Sequence, residues 1–456
     1  MMDMACLFVG AFLGIALRLP HEEVGEYVFD HLEGWLLLIG GVLLANYIAG
    51  SYRLQYTYSR FNLLVTWMFS ILFAVTIVSV TSYTWFQQVI GRGVLGMALI
   101  SYSALSLSLK IVGYRYLFRS NVFLCRTVVI GVGRRAKEMR TIIESEYVIP
   151  AHKVVAFIHV EDSDEEPSAE VSTDGTTVLH CKSDTLESLV RSLGVSLIVV
   201  GFEDLTRTAP LYPSLKRLRF DGIEVLSPLS VNEIYRGVTP LQLMNEELLM
   251  QASLESSLPM VWRLKRLIDI MASIVGMIVF LPAAALTALS IKLSAPREPV
   301  LYSQVRVGQF GREFRILKFR TMRSGAEDET GAVWASDNDS RITPLGNFLR
   351  RFRLDEVPQF FNILNGDMSL VGPRPERPEI IERLEVDIPY YRERENITPG
   401  LSGWAQIRYP YGNSVEDARR KLEYDLYYMK HLSITLDLQI LLSTLRIVVF
   451  GKERDV

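Results

Sequence analysis

Apolar positions gather in the first quarter of the chain and again beyond residue 270. Four runs almost free of charge, at about residues 4–19, 35–49, 63–80 and 94–112, predict helices near the lower length limit for crossing a hydrocarbon core of about 30 Å. The first has the position of a secretory signal, but it lacks a basic leading segment and carries Asp3 there instead. The loops between runs differ in charge. Glu22, Glu23, Glu26, Asp30 and Glu33 follow the first run, with only Arg18 at its edge. Arg53 and Arg60 follow the second, and residues 82–91 carry no charge. Lys110, Arg115, Arg119 and Arg126 follow the fourth. That Lys/Arg bias predicts a four-helix membrane bundle over residues 1–118 with both ends in the cytoplasm.

From Arg126 the period changes. Residues 127–131 read as a buried strand, and Gly131-Val-Gly133-Arg-Arg-Ala136 opens a helix to about Glu144. Further strands are predicted at 154–159, 197–200 and 223–226, and helices near 184–193 and 211–219. Strands alternating with helices predict a doubly wound, Rossmann-like α/β domain over 119–240, with a linker at 241–262. The glycine spacing matches a dinucleotide fingerprint. The acids Glu161, Asp162, Asp164, Glu165 and Glu166 could offer a ribose-binding carboxylate, though a solvated loop has the same composition. The expectation is a sheet without catalytic NAD.

Composition now bears on the picture. Over 456 residues the chain is 49% hydrophobic and 22% charged, with a mean hydropathy of +0.20. This excludes a disordered or collagen-like chain and suits one divided between lipid and water. The net charge of −3 averages over unlike parts. Cys6, Cys125 and Cys181 show no metal-site spacing and no disulfide framework, which fits cytosol-facing soluble parts.

A further apolar run, residues 270–291, has Pro282 near its middle. Arg263, Lys265 and Arg266 precede it, and Lys292, Arg297 and Arg306 follow. With both flanks basic, the charge rule cannot make either one external. Pro282 favours a kink. A helix that enters the bilayer, bends and returns satisfies both facts; an ordinary spanning helix is the alternative, and the residues alone leave both open.

The remaining third holds the chemistry. Six basic residues lie from Arg306 to Arg323 against one acid, Glu313, a strip suited to a multiply anionic substrate or to anionic headgroups. Arg350, Arg351 and Arg353 lead into Asp355-Glu356-Val-Pro358-Gln359. Adjacent residues point in different directions on a helix, so the two carboxylates are expected to differ in role. Arginine beside them favours the ionised form that a nucleophile or metal ligand requires. Arg374 stands between Pro373 and Pro375, whose fixed backbone limits the entropy lost when it grips a phosphate. Residues 399–406 add a second rigid loop, ending at Gln406.

The stretches Lys265-Arg-Leu-Ile-Asp269, Lys318-Phe-Arg-Thr-Met322, Leu354-Asp-Glu-Val-Pro-Gln359, Gly366-Asp-Met-Ser-Leu-Val-Gly-Pro-Arg-Pro375 and Pro399-Gly-Leu-Ser-Gly-Trp-Ala-Gln406 resemble the bacterial sugar transferase family, the monotopic polyprenyl-phosphate glycosyl-1-phosphate transferases. Several motifs in order make the match specific. With the bundle and the central domain, the chain is similar to the large members that initiate exopolysaccharide, capsule or O-antigen assembly. The resemblance implies an α-rich monotopic phosphoglycosyl transferase domain over 263–456, with a re-entrant membrane helix at about 267–293 holding Pro282. It implies transfer of a sugar 1-phosphate from a UDP-sugar to undecaprenyl phosphate with release of UMP. Asp355 would be the nucleophile, forming a phosphosugar-aspartyl intermediate, and Mg²⁺ would be held by Glu356 and Asp355. Glu356 is a metal ligand or assists the lipid phosphate. Lys318, Arg320, Arg350 and Arg374 would clamp phosphate, with headgroup binding as the alternative for Lys318 and Arg320. Gln359 would orient the dyad. Ser402 stands where the family commonly has Thr. The resemblance further implies a bacterial inner-membrane, multi-pass protein with cytoplasmic catalytic and Rossmann-like domains, partnered by the bilayer and in a possible homodimer, with no nucleic acid.

Two other classes are weighed. A nucleotide-sugar oxidoreductase would need a catalytic Tyr/Lys pair in the central domain, and no Tyr-x-x-x-Lys is assigned there. A non-catalytic scaffold would not require the Asp355-Glu356 motif. The C-terminal residues 434–450 place Leu436, Ile440, Leu441 and Leu445 on one helical face, predicting an interfacial amphipathic helix or a core helix.

Overall fold

The computed structural model describes residues 2–18, 20, 24–48, isolated positions within 67–79, 91–112, 124–145, 152–163, 176–255, 259–323, 325, 341–409, 412 and 414–450. Most of the predicted third apolar run, its flanking Arg53 and Arg60, Arg115, Arg119 and the acids Asp164, Glu165 and Glu166 lie outside these residues. The chain divides into two compact units, Met1–Arg236 and Gly237–Val456.

The first unit opens with helices α1 (Met2–Ala16), α2 (Val24–Asp30), α3 (Leu32–Ile48) and α4 (Arg92–Val112). Gly10 and Gly14 let α1 lie directly on the backbone of Tyr102 and Ala98 of α4, where any Cβ would collide. Asp3 is buried beside Lys110, 3.0 Å away, so the acid at the chain's start is neutralised by the base at the end of α4. Of the described apolar helices here, Gly93–Val112 is long enough to cross a membrane, while Asp3–Ala16 and Leu32–Leu44 are shorter.

The same unit contains a parallel sheet of β1 (Cys125–Ile130), β2 (His152–Val160), β3 (Val178–Cys181), β4 (Leu197–Val200) and β5 (Glu224–Leu226). Its order is β3-β2-β1-β4-β5. Val128, Val129 and Ile130 are all fully buried, the continuous apolar run of a strand covered on both faces. Val128 and Ile130 meet α6 (Leu186–Leu193) and α7 (Tyr212–Phe220) through Leu186, Val190 and Leu218. Val129 and Phe157 meet α5 (Arg134–Ile143) and α8 (Pro228–Arg236) through Met139, Ile143 and Val231. Strand β3 was not predicted. Its single buried residue is Cys181, as expected of a short edge strand with little hydrophobic pattern.

The second unit begins with Gly237, whose carbonyl accepts the Trp404 indole N–H at 2.8 Å. Helix α9 (Glu246–Glu255) leads to α10 (Pro259–Ser294), 36 residues with Pro282 inside. This is the second described helix long and apolar enough to cross a membrane. A hairpin follows, β6 (Leu301–Val307) with β7 (Glu313–Phe319). Then come α11 (Pro344–Arg351), α12 (Gln359–Asn365), β8 (Ser369–Val371), α13 (Pro378–Asp387), β9 (Gly400–Ser402), α14 (Trp404–Arg408), α15 (Val415–Lys430) and α16 (Ile434–Phe450). Ile363, Val371, Trp404, Tyr428 and Ile440 form a central core.

The alternatives for α16 divide along its length. Leu436 and Ile440 are buried in that core, whereas Leu445 is exposed. Asp437, on the same helix, is buried against Lys265 of α10 at 2.6 Å and accepts the Tyr428 hydroxyl at 2.6 Å.

Candidate active site

Thr343 caps α11, its hydroxyl accepting the Gly346 amide at 3.0 Å. The helix ends at Arg351, and Arg353 then takes a left-handed backbone, φ 54° and ψ 22°. This reverses the chain into a single 3₁₀ turn, Leu354–Glu356. Asp355 and Glu356 are 7% and 8% exposed, so both carboxylates have left bulk water and must be compensated by protein groups.

The surroundings of the two differ. Glu356 Oε1 accepts from Arg374 Nη1 and Nη2 at 3.4 Å and lies 3.8 Å from the Lys318 ammonium. Its Oε2 accepts from Arg353 Nη1 at 3.2 Å. Burial alone would raise this carboxyl, but Arg374, Lys318 and Arg353 outweigh it and hold it at about 2. Asp355 accepts no hydrogen bond among the described residues. Burial, then the Glu356 charge, pushes it above the ordinary carboxylate range against Lys318, Arg350 and Arg374. The expectation that neighbouring arginines favour the ionised form thus holds for Glu356. It is overridden at Asp355, where desolvation and a like charge act together.

Lys318 sits on β7. Burial and Arg374 lower its ammonium to about 8 against the two carboxylates. Arg350 Nε donates to Thr321 Oγ1 at 3.0 Å and faces Asp355. Arg320 is turned elsewhere: it donates to Glu298 at 3.1 Å and to the Pro299 carbonyl at 3.0 Å, and is not among the cations facing the dyad. Arg320 lies just past the end of β7, where its amide donates to the Val300 carbonyl at 3.0 Å and so sets the residue beside Pro299 and Glu298. Gln359 is buried, but its Nε2 has no partner, and both amide atoms of Gln406 are likewise unpartnered among the described residues. Neither glutamine hydrogen-bonds the dyad here.

The loop carrying Arg374 is held by its backbone. Gly372 N donates to the Ser402 carbonyl at 2.9 Å, and Gly400 N donates to the Pro373 carbonyl at 2.8 Å. A side chain at Gly372 or Gly400 would strike the facing backbone. Arg394 donates to the Arg374 carbonyl at 3.0 Å while paired with the buried Asp425 at 2.8 Å. Arg306 donates to the Pro375 carbonyl at 3.1 Å. Asn362 grips one edge of β7, accepting from Leu317 N at 3.0 Å and donating to the Arg315 carbonyl at 2.8 Å. Sequence reading placed Arg353 beside the dyad without making it a site residue, and gave no role to Arg394, Asp425 or Asn362. Asn362 and Asp425 were available as polar residues between apolar or aromatic neighbours, whereas Arg353 and Arg394 stand in charged runs that do not single them out.

Four cations, Lys318, Arg350, Arg353 and Arg374, therefore face two carboxylates. The cluster favours a multiply anionic ligand and leaves one carboxylate with free lone pairs.

In the central sheet the fingerprint loop is engaged internally. The Arg135 amide, at the first turn of α5, donates to the Glu203 carboxylate at 2.7 Å, and its guanidinium binds the Phe202 and Glu203 carbonyls. One expectation needs correction: this domain does contain a Tyr-x-x-x-Lys spacing, Tyr212–Lys216. Both residues are exposed on α7. Leu215 and Leu218 pack that helix on the sheet face opposite α5, so the pair and the glycine loop are not brought together.

The description "Bacterial sugar transferase" matches residues 260–451. The chain is 44% identical over 188 residues to the UDP-N-acetylgalactosamine-undecaprenyl-phosphate N-acetylgalactosaminephosphotransferase of Aeromonas hydrophila, covering 41% of this chain and 44% of that protein. It is 41% identical over 182 residues to the UDP-glucose:undecaprenyl-phosphate glucose-1-phosphate transferase of Caulobacter vibrioides, covering 40% of this chain and 67% of that protein. It is 38% identical over 189 residues to the exopolysaccharide production protein PSS of Rhizobium leguminosarum bv. phaseoli, covering 40% and 92%. Against several longer relatives the match spans only 36% to 44% of their length.

Proposed function

This chain belongs to the bacterial sugar transferase family, and from that premise we propose that it moves a sugar 1-phosphate from a UDP-sugar to undecaprenyl phosphate, releasing UMP, at the start of exopolysaccharide, capsule or O-antigen assembly. The observation that carries the reading is the unequal dyad: Glu356 is fixed by cations while Asp355 keeps its lone pairs.

An Asp355 carboxylate oxygen attacks the β-phosphorus of the donor. The bond from that phosphorus to the bridging oxygen breaks, UMP leaves with the electron pair, and a phosphosugar-aspartyl ester remains. A phosphate oxygen of the lipid then attacks the same phosphorus, returning Asp355 as a carboxylate and forming the lipid diphosphosugar. Two displacements divide one difficult transfer into easier steps. Lys318, Arg350 and Arg374 stabilise the charge developing on the transferred and leaving phosphates. Arg320, bound to Glu298 in the free protein, supports the hairpin that presents Lys318.

No cluster of three or more His, Cys, Asp or Glu side chains occurs among the described residues, so a closed metal cage is not offered. Two adjacent carboxylates suit Mg²⁺, which commonly takes one or two carboxylates and completes its shell with substrate phosphate and water. Asp355, which accepts no hydrogen bond among the described residues, would offer it open oxygens, and Glu356 would join only by exchanging a cation now on its own oxygens. Bound there, the ion would neutralise the donor diphosphate.

We read α10 as re-entrant. Asp269 near its start accepts the Leu370 amide at 3.0 Å, and Ile291 near its end packs with Phe319 and Leu349. A straight helix rises about 33 Å between these positions at 1.5 Å per residue, comparable to the hydrocarbon core. Both contacts belong to one unit, which favours a helix that leaves and returns on the cytoplasmic side. The four N-terminal helices would make the protein multi-pass in the bacterial inner membrane. The central domain is read as Rossmann-like without catalytic NAD: Glu203 already takes the amide that would face a phosphate.

The test is purified full-length protein with undecaprenyl phosphate, Mg²⁺ and a panel of UDP-sugars, measuring UMP. At least one sugar should release UMP, and Asp355→Asn should abolish it. Absence of release with every sugar, or full activity in Asp355→Asn, would refute the proposal.

A further inference from the structure

Arg353 combines two features that have separate physical causes. Its backbone is left-handed, as it is in only two other non-glycine residues among those described, Phe310 and Tyr390. For an L-residue with a large side chain this conformation costs free energy and persists only where the surroundings impose it. Here Arg353 N donates to the Arg350 carbonyl at 3.2 Å, and the Arg353 carbonyl accepts from Glu356 N at 3.2 Å. The strained residue thus closes the end of α11 and opens the turn that carries the dyad.

The second feature is its side chain. Arg374 and Lys318 both engage Glu356 through Oε1. Arg353 engages Oε2. With Oε2 released, the carboxylate could rotate about its last bond and carry its two partners with it, because the terminal torsion of Glu is broad.

We propose that Arg353 is a positioning residue for the transfer reaction: its backbone turns the chain into the Asp355-Glu356 turn, and its guanidinium fixes the second oxygen of Glu356, so that Arg374 and Lys318 stay aligned on the donor diphosphate. The inference rests on the phosphoglycosyl transferase reading above. Arg353 touches neither donor nor acceptor in this scheme; it acts through Glu356. Because the clamps it aligns act on charge that develops during displacement, its loss falls on kcat rather than on donor KM.

Three substitutions separate backbone from charge. Arg353→Asn keeps a residue tolerant of the left-handed region and removes the cation. Arg353→Lys keeps a cation. Arg353→Val burdens the backbone. All are assayed as the detergent-solubilised full chain with the UDP-sugar that the parent turns over, following UMP release and thermal unfolding. Arg353→Asn is expected to unfold at the parental temperature, to lose at least tenfold in kcat and to keep donor KM within threefold. Arg353→Lys is expected to recover most of that kcat, and Arg353→Val to unfold at a lower temperature than Arg353→Asn. Parental kcat in Arg353→Asn would overturn the proposal. So would a loss in Arg353→Lys equal to that in Arg353→Asn, or an Arg353→Val as stable as Arg353→Asn. A parent that releases no UMP from any sugar would instead refute the reaction itself, which keeps the two failures distinct.

Discussion

Replacing Lys265 by Met removes a charge from α10 with little change of length. Its ammonium lies 2.6 Å from Asp437, with the two side chains 5% and 11% exposed. Burial already raises the Asp437 carboxyl while Lys265 opposes it. Without the lysine the carboxylate has lost its cation and retains the Tyr428 hydroxyl. Removing one partner of a buried pair costs about 3–5 kcal/mol. The protein can limit that cost by protonating Asp437. From an ordinary value of 3.8, binding a proton at pH 7 costs about 4.4 kcal/mol, taking about 1.36 kcal/mol per unit. At pH 5 the same step costs about 1.6 kcal/mol. The sign follows from linkage: a carboxyl whose folded pKa is raised loses stability as pH rises above its unfolded value, so the deficit grows from pH 5 to pH 7. Urea unfolding of the detergent-solubilised chain at both pH values measures this. Adding Asp437→Asn, which can still accept from Tyr428, should recover much of the loss. A Lys265→Met variant within about 1 kcal/mol of the parent at pH 7, or equally impaired at both pH values, would refute the argument.

Other outcomes follow from the same geometry. Transfer should fall on the acid side from above the ordinary carboxylate range, because Asp355 must be ionised and its pKa is raised. On the alkaline side it should fall as pH passes about 8, where Lys318 loses its proton. Lys318→Arg should move the alkaline limb upward, and an unmoved limb in an active Lys318→Arg enzyme would disprove that assignment. In a chain with Cys6, Cys125 and Cys181 replaced, a cysteine at Ser294 should react with an impermeant reagent only from the cytoplasmic side; reaction from outside would refute the re-entrant reading of α10.

Much of the site was legible because its chemistry is local. Asp355, Glu356 and the Pro373–Pro375 loop are consecutive motif residues, and turn and proline preferences are set over a few positions. Lys318 was legible as part of a basic strip, and the hairpin brings it to Glu356. Arg320, just past the end of the strand, was grouped with it by the basic strip and the resemblance, and in the structure it pairs with Glu298. The central strands at 197–200 and 154–159 were visible as apolar runs, while β3 was not, since an edge strand needs little hydrophobic pattern. Arg394 and Asp425 were hidden because they hold the Arg374 loop from 20 residues away and beyond.

By itself the sequence determined where the long apolar runs lie, where the parallel sheet begins and that Asp355 and Glu356 stand side by side as candidate site residues. Hydrophobic patterning and short motifs act between near neighbours in the chain, so they can be read there. Only the tertiary structure decided how the two acids divide. Glu356 is held at about 2 by three cations from three separate segments, and Asp355 is raised by burial and by Glu356 itself. Charge interactions in a desolvated site depend on distance in space, and spacing along the chain does not encode that distance.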